Sequence, residues 1–388
     1  MNDIRAVFDI GNDTIKAIVF GKDGDEVRIL AKQSEPAVWM RKGQIIDAEA
    51  FTKVLNKIVE SFIKKLWGEF IEKAYVGISH PEMVTQRVVE GKRIMTEEVM
   101  IEDLEYLSKI VTDTSSVNNY ETIKIVPVAW ILDDKREKDP VGLKCKKLDL
   151  MADVFLIPKN FYSGIIEAFD KVGLEITDIM PNILAASEIV IDYDHKYLGT
   201  ILLDIGKNQT SYVVYEDGYS LWYGTIPLGW ENVTKDIAIG MQVDIKDAEE
   251  MKRTLGTAVI DENTVMDTWL DIHFLTEIIS ARYEQIFLRV NAYLESIEKD
   301  GRLSGGAFLI GWGSKMTNLT ELAKDVFKIV SSQGKDQILN LWDLSNNVQY
   351  LNVLWCYYRS MKYMDDSRKS SSFGGIGGKI VEFLKNLF

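Results

Sequence analysis

Two stretches of this chain are built to one plan. Phe8–Thr14 reads FDIGNDT and Leu203–Thr210 reads LDIGKNQT. Each closes an apolar run with Asp-Ile-Gly, turns through small or polar residues, and continues into a second apolar run and an acidic Gly turn, GKDGDE or YEDG. Apolar runs flanking a Gly/Asn/Asp cluster predict a β-hairpin. The pattern returns once, at long range, so it is a duplicated domain rather than a short-period solenoid. Two similar halves imply two similar domains facing each other across a cleft.

The segments between fit a mixed α/β chain. A third strand is expected at 26–32, and 48–66 carries helical spacing through Phe51, Val54, Leu55, Ile58, Val59 and Phe62. KAYVGIS (73–79) reads as a short buried strand. Residues 82–158 read as a separate unit: a helix after a Thr96 N-cap, then a strand broken at Pro127, then further strands. Helices are expected at 247–255 and 274–297. GGAFLIGWGSKM (305–316) reads as a strand entering a Gly-rich loop, and MTNLTELAKDVF as a helix. The expected domains are 1–81 with 159–198, the insert 82–158, 199–230 with 301–364, a helical subdomain 231–300, a linker 365–378 and a terminal helix 379–388.

Bulk properties narrow the function. A net charge of −14 argues against nucleic acid as the main partner. Two cysteines, Cys145 and Cys356, make no disulfide framework and lack metal spacing, which fits a reducing compartment. His80, His195 and His273 are scattered, form no ligand cluster and read as structural. No apolar run reaches the roughly 18 residues of a membrane-spanning helix, and the first residues do not read as a signal peptide.

A hairpin turn presents consecutive backbone N–H groups to a phosphate if small residues let it approach. An aspartate at the strand end can hold Mg²⁺ through water or orient an attacking water. Two such turns, one per domain, would clamp a triphosphate from both sides. DAEEMKRTLG (247–256) places Glu249, Lys252 and Arg253 near one helix face, either as a surface ion pair or as a clasp for adenine and ribose. The Gly-rich GGAFLIGWGS can approach a nucleotide closely.

In this order the pieces resemble the actin/heat-shock-chaperone/hexokinase ATPase superfamily. Within it, VVYEDGYSLWYGTIPLGWENVTKDIAIG, RKGQIID, AYVGIS, EIISARYEQIF and GGAFLIG are similar to FtsA, the actin-like bacterial division family, over residues 4–388. The resemblance implies an actin-like ATPase fold of two duplicated domains with the FtsA-type insert at 82–158. It implies ATP in the cleft, with Mg²⁺ reached through water and phosphates, and at most a slow ATPase. Asp9 and Asp204 would be catalytic. Gly11, Asn12, Asp13, Thr14 and Lys16 would form the first phosphate loop, and Gly206, Lys207, Asn208, Gln209 and Thr210 the second. Glu249, Lys252 and Arg253 would hold the adenosine side together with Gly305, Gly306, Gly311 and Gly313. The implied partners are further copies of the chain, membrane lipid and the C-terminal peptide of FtsZ, the last near Arg282. The implied place is the cytoplasmic face of the membrane at the division site. Other readings are a PilM-like pilus-assembly scaffold and a true kinase or ATPase of the superfamily.

The chain departs from the family pattern in two ways. Lys207, Asn208 and Gln209 replace small residues and Ser211 the closing Asp of the second loop, which puts hydrolysis in doubt more than binding. Trp39, Trp67, Trp230, Trp312 and Trp355 stand where family members carry Gly, among nine Trp in all. Either these are genuine or UGA codons for Gly were read as Trp; UGG at all five positions would end the second reading. A genuine Trp312 is expected to weaken ATP binding.

The last segment is GGKIVEFLKNLF. Ile380, Val381, Phe383, Leu384, Leu387 and Phe388 form one helical stripe, with Lys379, Glu382, Lys385 and Asn386 opposite. Twelve helical residues reach about 18 Å, too short for a hydrocarbon core of about 30 Å. Such a helix is expected to lie in the interface plane. The stripe is short and its net charge small, so one copy should bind weakly and a filament firmly, by avidity.

Overall fold

The computed structural model describes residues 2–23, 26–41, 43–96, 98–260 and 272–335. The linker, the terminal stripe and Trp355 lie outside these residues.

Strands β1 (Asn2–Ile10), β2 (Thr14–Asp23) and β3 (Glu26–Pro36) form an antiparallel meander. A two-residue pair, β4 (Met40–Arg41) and β5 (Gln44–Ile45), leads into α1 (Ala48–Lys65) and then β6 (Lys73–Ile78), which runs parallel to β1. Helix α1 starts where Asp47 accepts the Ala50 N–H at 2.8 Å, and it buries Phe51, Leu55, Ile58, Val59 and Phe62.

Strand β7 (Val84–Arg93), helix α2 (Ile101–Thr114) and strands β8 (Tyr120–Leu132), β9 (Lys135–Glu137) and β10 (Lys147–Pro158) follow. Their four-stranded sheet, ordered β7-β10-β8-β9, has its own core around Leu104, Leu107, Trp130 and Leu150. Two expectations change here. Helix α2 is not capped by Thr96, whose hydroxyl donates to the Glu98 carbonyl; Asp103 instead accepts the N–H of Met100, just before the first turn. Nor does Pro127 break its strand. Its missing N–H is tolerated because β9 pairs only with residues 130–132 of β8, and a bulge follows the proline.

The chain returns through α3 (Lys159–Lys171), β11 (Glu175–Pro181), α4 (Asn182–Val190) and α5 (Tyr193–Leu198). The second half then comprises β12 (Thr200–Ile205), β13 (Thr210–Glu216), β14 (Tyr219–Ile226), α6 (Trp230–Gly240), α7 (Ile245–Thr254), α8 (Ile272–Ser296), β15 (Gly306–Ile310), a 3₁₀ turn (Trp312–Lys315), α9 (Leu319–Phe327) and β16 (Ser331–Gln333).

The duplication is visible in the sheets. One is ordered β11-β6-β1-β2-β3 and the other β16-β15-β12-β13-β14, with the same strand directions. The pairing Asp9↔Lys16 in one matches Asp204↔Ser211 in the other, a constant offset of 195 residues. Thr14 is therefore equivalent to Gln209 and not to Thr210, as the letters alone suggest. Helix α4 lies between the sheets, and its Ile183, Leu184 and Ile189 share one core with Val7, Ile18, Leu202 and Val213. The outer faces are covered by α1 and α3 on one side and by α6, α8 and α9 on the other.

Candidate functional site

Both hairpin loops leave the carboxyl ends of central strands, β1 and β12, and they meet. Each is closed by the same bond, Gly11 N–H to the Thr14 carbonyl at 3.2 Å and Gly206 N–H to the Gln209 carbonyl at 2.9 Å. Across the gap, Lys207 Nζ lies 3.0 Å from Asp13 Oδ1, and Asn12 Nδ2 lies 3.4 Å from Gln209 Oε1. The loops enclose a cavity of about 70 Å³ lined by Asp9, Gly11, Asn12, Asp13, Thr14, Lys16, Ser79, Asn182, Asp204, Gly206, Lys207, Gln209, Ser211, Trp230, Gly311 and Trp312.

Asp9 is buried. It accepts from Lys16 Nζ at 2.9 Å and from Asn182 Nδ2, at the first turn of α4, at 2.7 Å. Three polar atoms here are buried without a hydrogen-bond partner: Asn12 Oδ1, Asn182 Oδ1 and Gln209 Nε2. Orphaned buried polar groups are costly, and their convergence marks a place for a polar ligand.

A second, larger cavity of about 380 Å³ adjoins the first. Glu249, Lys252, Arg253, Gly256, Tyr283, Gly313 and Lys315 are among its lining residues. Lys252 Nζ donates to Glu249 Oε2 at 2.6 Å and to Thr234 Oγ1 at 2.7 Å. Burial pushes the Lys252 ammonium below the usual lysine range, and the bond to Glu249 partly offsets this. The Tyr283 hydroxyl donates to the Gly313 carbonyl at 3.0 Å and fixes the loop after β15.

Most of the residues expected to hold the nucleotide thus line the two cavities, and four do not. Asn208 turns away and donates to Glu231 at 2.8 Å; the Thr210 hydroxyl donates to the Leu228 carbonyl at 2.9 Å. Gly306 begins β15 and Gly305 precedes it, at the end opposite the cavity, where Gly305 N–H donates to the Gly199 carbonyl at 2.7 Å. Gly311 and Gly313 sit at the correct end. Gly311 has φ +83°, and a Cβ there would lie 2.4 Å from Asp204 Oδ1, so the loop presses directly on the strand carrying that carboxylate. Arg282 lies on α8, away from both cavities, with its guanidinium held by Asp236.

Ser79, Asn182, Tyr283 and Lys315 were not anticipated. Ser79 had a signal available: it follows buried β6 as Trp312 follows β15. By the strand registers, Ile78 corresponds to Gly311 and Ser79 to Trp312.

Comparisons with known proteins give one family by sequence. A family model described as "Cell division protein FtsA" matches residues 201–352. The FtsA of Bacillus subtilis (strain 168) is 28% identical over 342 residues, 84% of this chain and 77% of that protein. The FtsA of Pseudomonas aeruginosa is 23% identical over 381 residues, 94% and 91% of the two chains.

By sequence the chain is similar to FtsA over most of its length.

Solved structures show the actin-like ATPase fold behind this relationship. The PilM-PilN type IV pilus biogenesis complex superposes with a TM-score of 0.68 at 15% identity, covering 92% of this chain and 98% of that one. MreB5 of Spiroplasma citri bound to ADP superposes with a TM-score of 0.56 at 14% identity, covering 94% and 99%. Among the described residues of this FtsA-like chain, no helix is long and apolar enough to cross a membrane.

Proposed function

We propose that this FtsA-like protein binds ATP between its two sheets, assembles into actin-like filaments and fastens FtsZ filaments to the cytoplasmic face of the membrane at the division site. Its kinship with cell-division proteins and its actin-like fold are the framework. The observation that carries the nucleotide reading is the meeting of the two Asp-Ile-Gly hairpins around three orphaned polar atoms. The larger cavity falls within the roughly 300–1,000 Å³ of small-molecule sites and suits a nucleoside. The loop amides, Lys16 and Lys207 would meet the phosphates.

Among the described residues no three His, Cys, Asp or Glu side chains gather to hold a metal. Mg²⁺ would therefore be held by phosphate oxygens and by waters bonded to Asp9 and Asp204, and it would neutralise phosphate charge. Two of the cavity's aspartates, Asp9 and Asp13, already face lysines, so a polyphosphate needs that neutralisation. An acidic FtsZ peptide at α6 and α8 would have to displace Asp236 from Arg282.

The membrane half of the proposal rests on the apolar stripe at 380–388. Full-length protein should co-sediment with vesicles containing phosphatidylglycerol, and protein lacking residues 377–388 should not. Equal sedimentation of both would overturn the tether. The structural likeness to PilM favours a second reading, a scaffold of pilus assembly. The same experiment separates the two, because only the tether reading needs lipid binding by the last residues.

A further inference from the structure

The two cavities share three lining residues: Asp13, Trp230 and Trp312. These form the passage between the loops and the larger chamber. A nucleotide lying across both chambers must thread its phosphate chain past them.

Neither indole stands on backbone that can retreat. The Trp230 N–H donates to the Gly206 carbonyl at 3.0 Å, and a Cβ on neighbouring Gly229 would lie 2.3 Å from the same oxygen. Trp312 follows Gly311, which is pressed against Asp204. Each ring is also covered by a cation. Lys252 Nζ sits 4.2 Å and Lys207 Nζ 5.8 Å from the Trp230 ring centre, one lysine from each chamber, and Lys315 Nζ sits 4.2 Å from that of Trp312. The lysines that would meet phosphate or ribose are therefore partly occupied by the indoles.

The fold does not require bulk at position 312. Its equivalent in the first half is Ser79, which lines the same small cavity. Trp312 is 41% exposed and contributes little to any core.

Resting on the nucleotide reading above and on Trp rather than recoded Gly at both positions, we infer that Trp230 and Trp312 form a neck that separates nucleoside from polyphosphate recognition. The larger chamber accepts the nucleoside, and the indoles hinder entry of the phosphate chain into a cavity of about 70 Å³. The neck makes the site a poor discriminator between adenosine and ATP, and removing an indole restores the preference for ATP.

The test is calorimetric titration of the full chain with adenosine and with ATP plus Mg²⁺. The variants are Trp312→Ser, Trp230→Ala and the double substitution, each checked for an unchanged far-UV spectrum. Trp312→Ser copies the residue that the other half already uses, and its exposure makes it the variant most tolerant of change. The expected result is ATP binding about tenfold tighter in Trp312→Ser and tighter still in the double variant, with the gain for ATP exceeding that for adenosine in each. Unchanged or weaker ATP binding with adenosine still bound would overturn the neck, and weaker binding of both would assign the indoles to stacking on the base. Absence of binding by either ligand to the parent and every variant would overturn the nucleotide site itself.

Discussion

The two hairpin loops share backbone and differ in charge. In the first, Asp9 is matched within the sheet by Lys16, its registered partner on β2. In the second, the residue registered with Asp204 is Ser211, whose hydroxyl lies 3.4 Å from that of Thr225. The first turn carries Asn12 and Asp13, the second Lys207 and Asn208. The two halves share the scaffold that brings both turns to one cavity, and their side chains differ so that each loop supplies what the other lacks. The Asp13–Lys207 contact across the cleft is the visible result.

The sharpest way to break this comparison is to unbalance the buried pair. Lys16→Met would leave the buried Asp9 carboxyl without its cationic partner, and removing one partner of such a pair costs about 3–5 kcal/mol. Ser211→Ala at the equivalent position should cost under about 1 kcal/mol. Urea unfolding of both variants decides it; equal losses would mean the halves are not balanced differently.

A second asymmetry lies at the exits of β6 and β15, where His80 corresponds to Gly313. Burial lowers the His80 pKa to about 4. The folded imidazole therefore resists protonation. Its contribution is complete above the unfolded value near 6.5 and is lost as pH falls from there toward 4. The loss should approach roughly 3 kcal/mol. The difference in stability between the parent and His80→Asn, followed from pH 7 to 4, should shrink by about that amount, and a constant difference would exclude the effect.

The tryptophans allow a smaller test. Trp39 and Trp230 each stand four residues beyond paired positions, Glu35 on β3 and Ile226 on β14, that the duplication equates. Trp39 is buried and stacked on Phe51, whereas Trp230 borders the cavities. Trp67, at the end of α1, is 98% exposed with φ +58°, and the Gly68 N–H closes back on the Ile63 carbonyl at 2.9 Å. That is a helix stop whose left-handed residue is ordinarily glycine. Trp67→Gly should raise stability by about 1 kcal/mol, read as a higher urea midpoint; a lower midpoint would show that the exposed indole has a role of its own.

The weakest expected effect is the cross-cleft ion pair. Asp13 and Lys207 are partly exposed, so a double-mutant cycle with Asp13→Asn and Lys207→Met should give a coupling of about 0.5 kcal/mol, reduced by salt. A coupling near zero would separate the two loops energetically.

The sequence by itself determined the duplicated hairpins, the mixed α/β plan and most of the residues that line the two cavities, because Asp-Ile-Gly turns and buried strands are written in local pattern. Helix α1 was legible from its apolar spacing and lies where that spacing puts it. Gly305 and Gly306 lie at the far end of β15 from the cavity, and a Gly cluster does not say which end of a five-residue strand faces the cleft. Asn208 and Thr210 turn from the cavity because Glu231 and the Leu228 carbonyl, both beyond β14, take their side chains, and no local pattern encodes that. Only the tertiary structure decided that α4 brings Asn182 to Asp9, that Ser79 answers Trp312, and that two indoles stand between the chambers. These are meetings of residues far apart in the chain, and they exist because two sheets close on one helix.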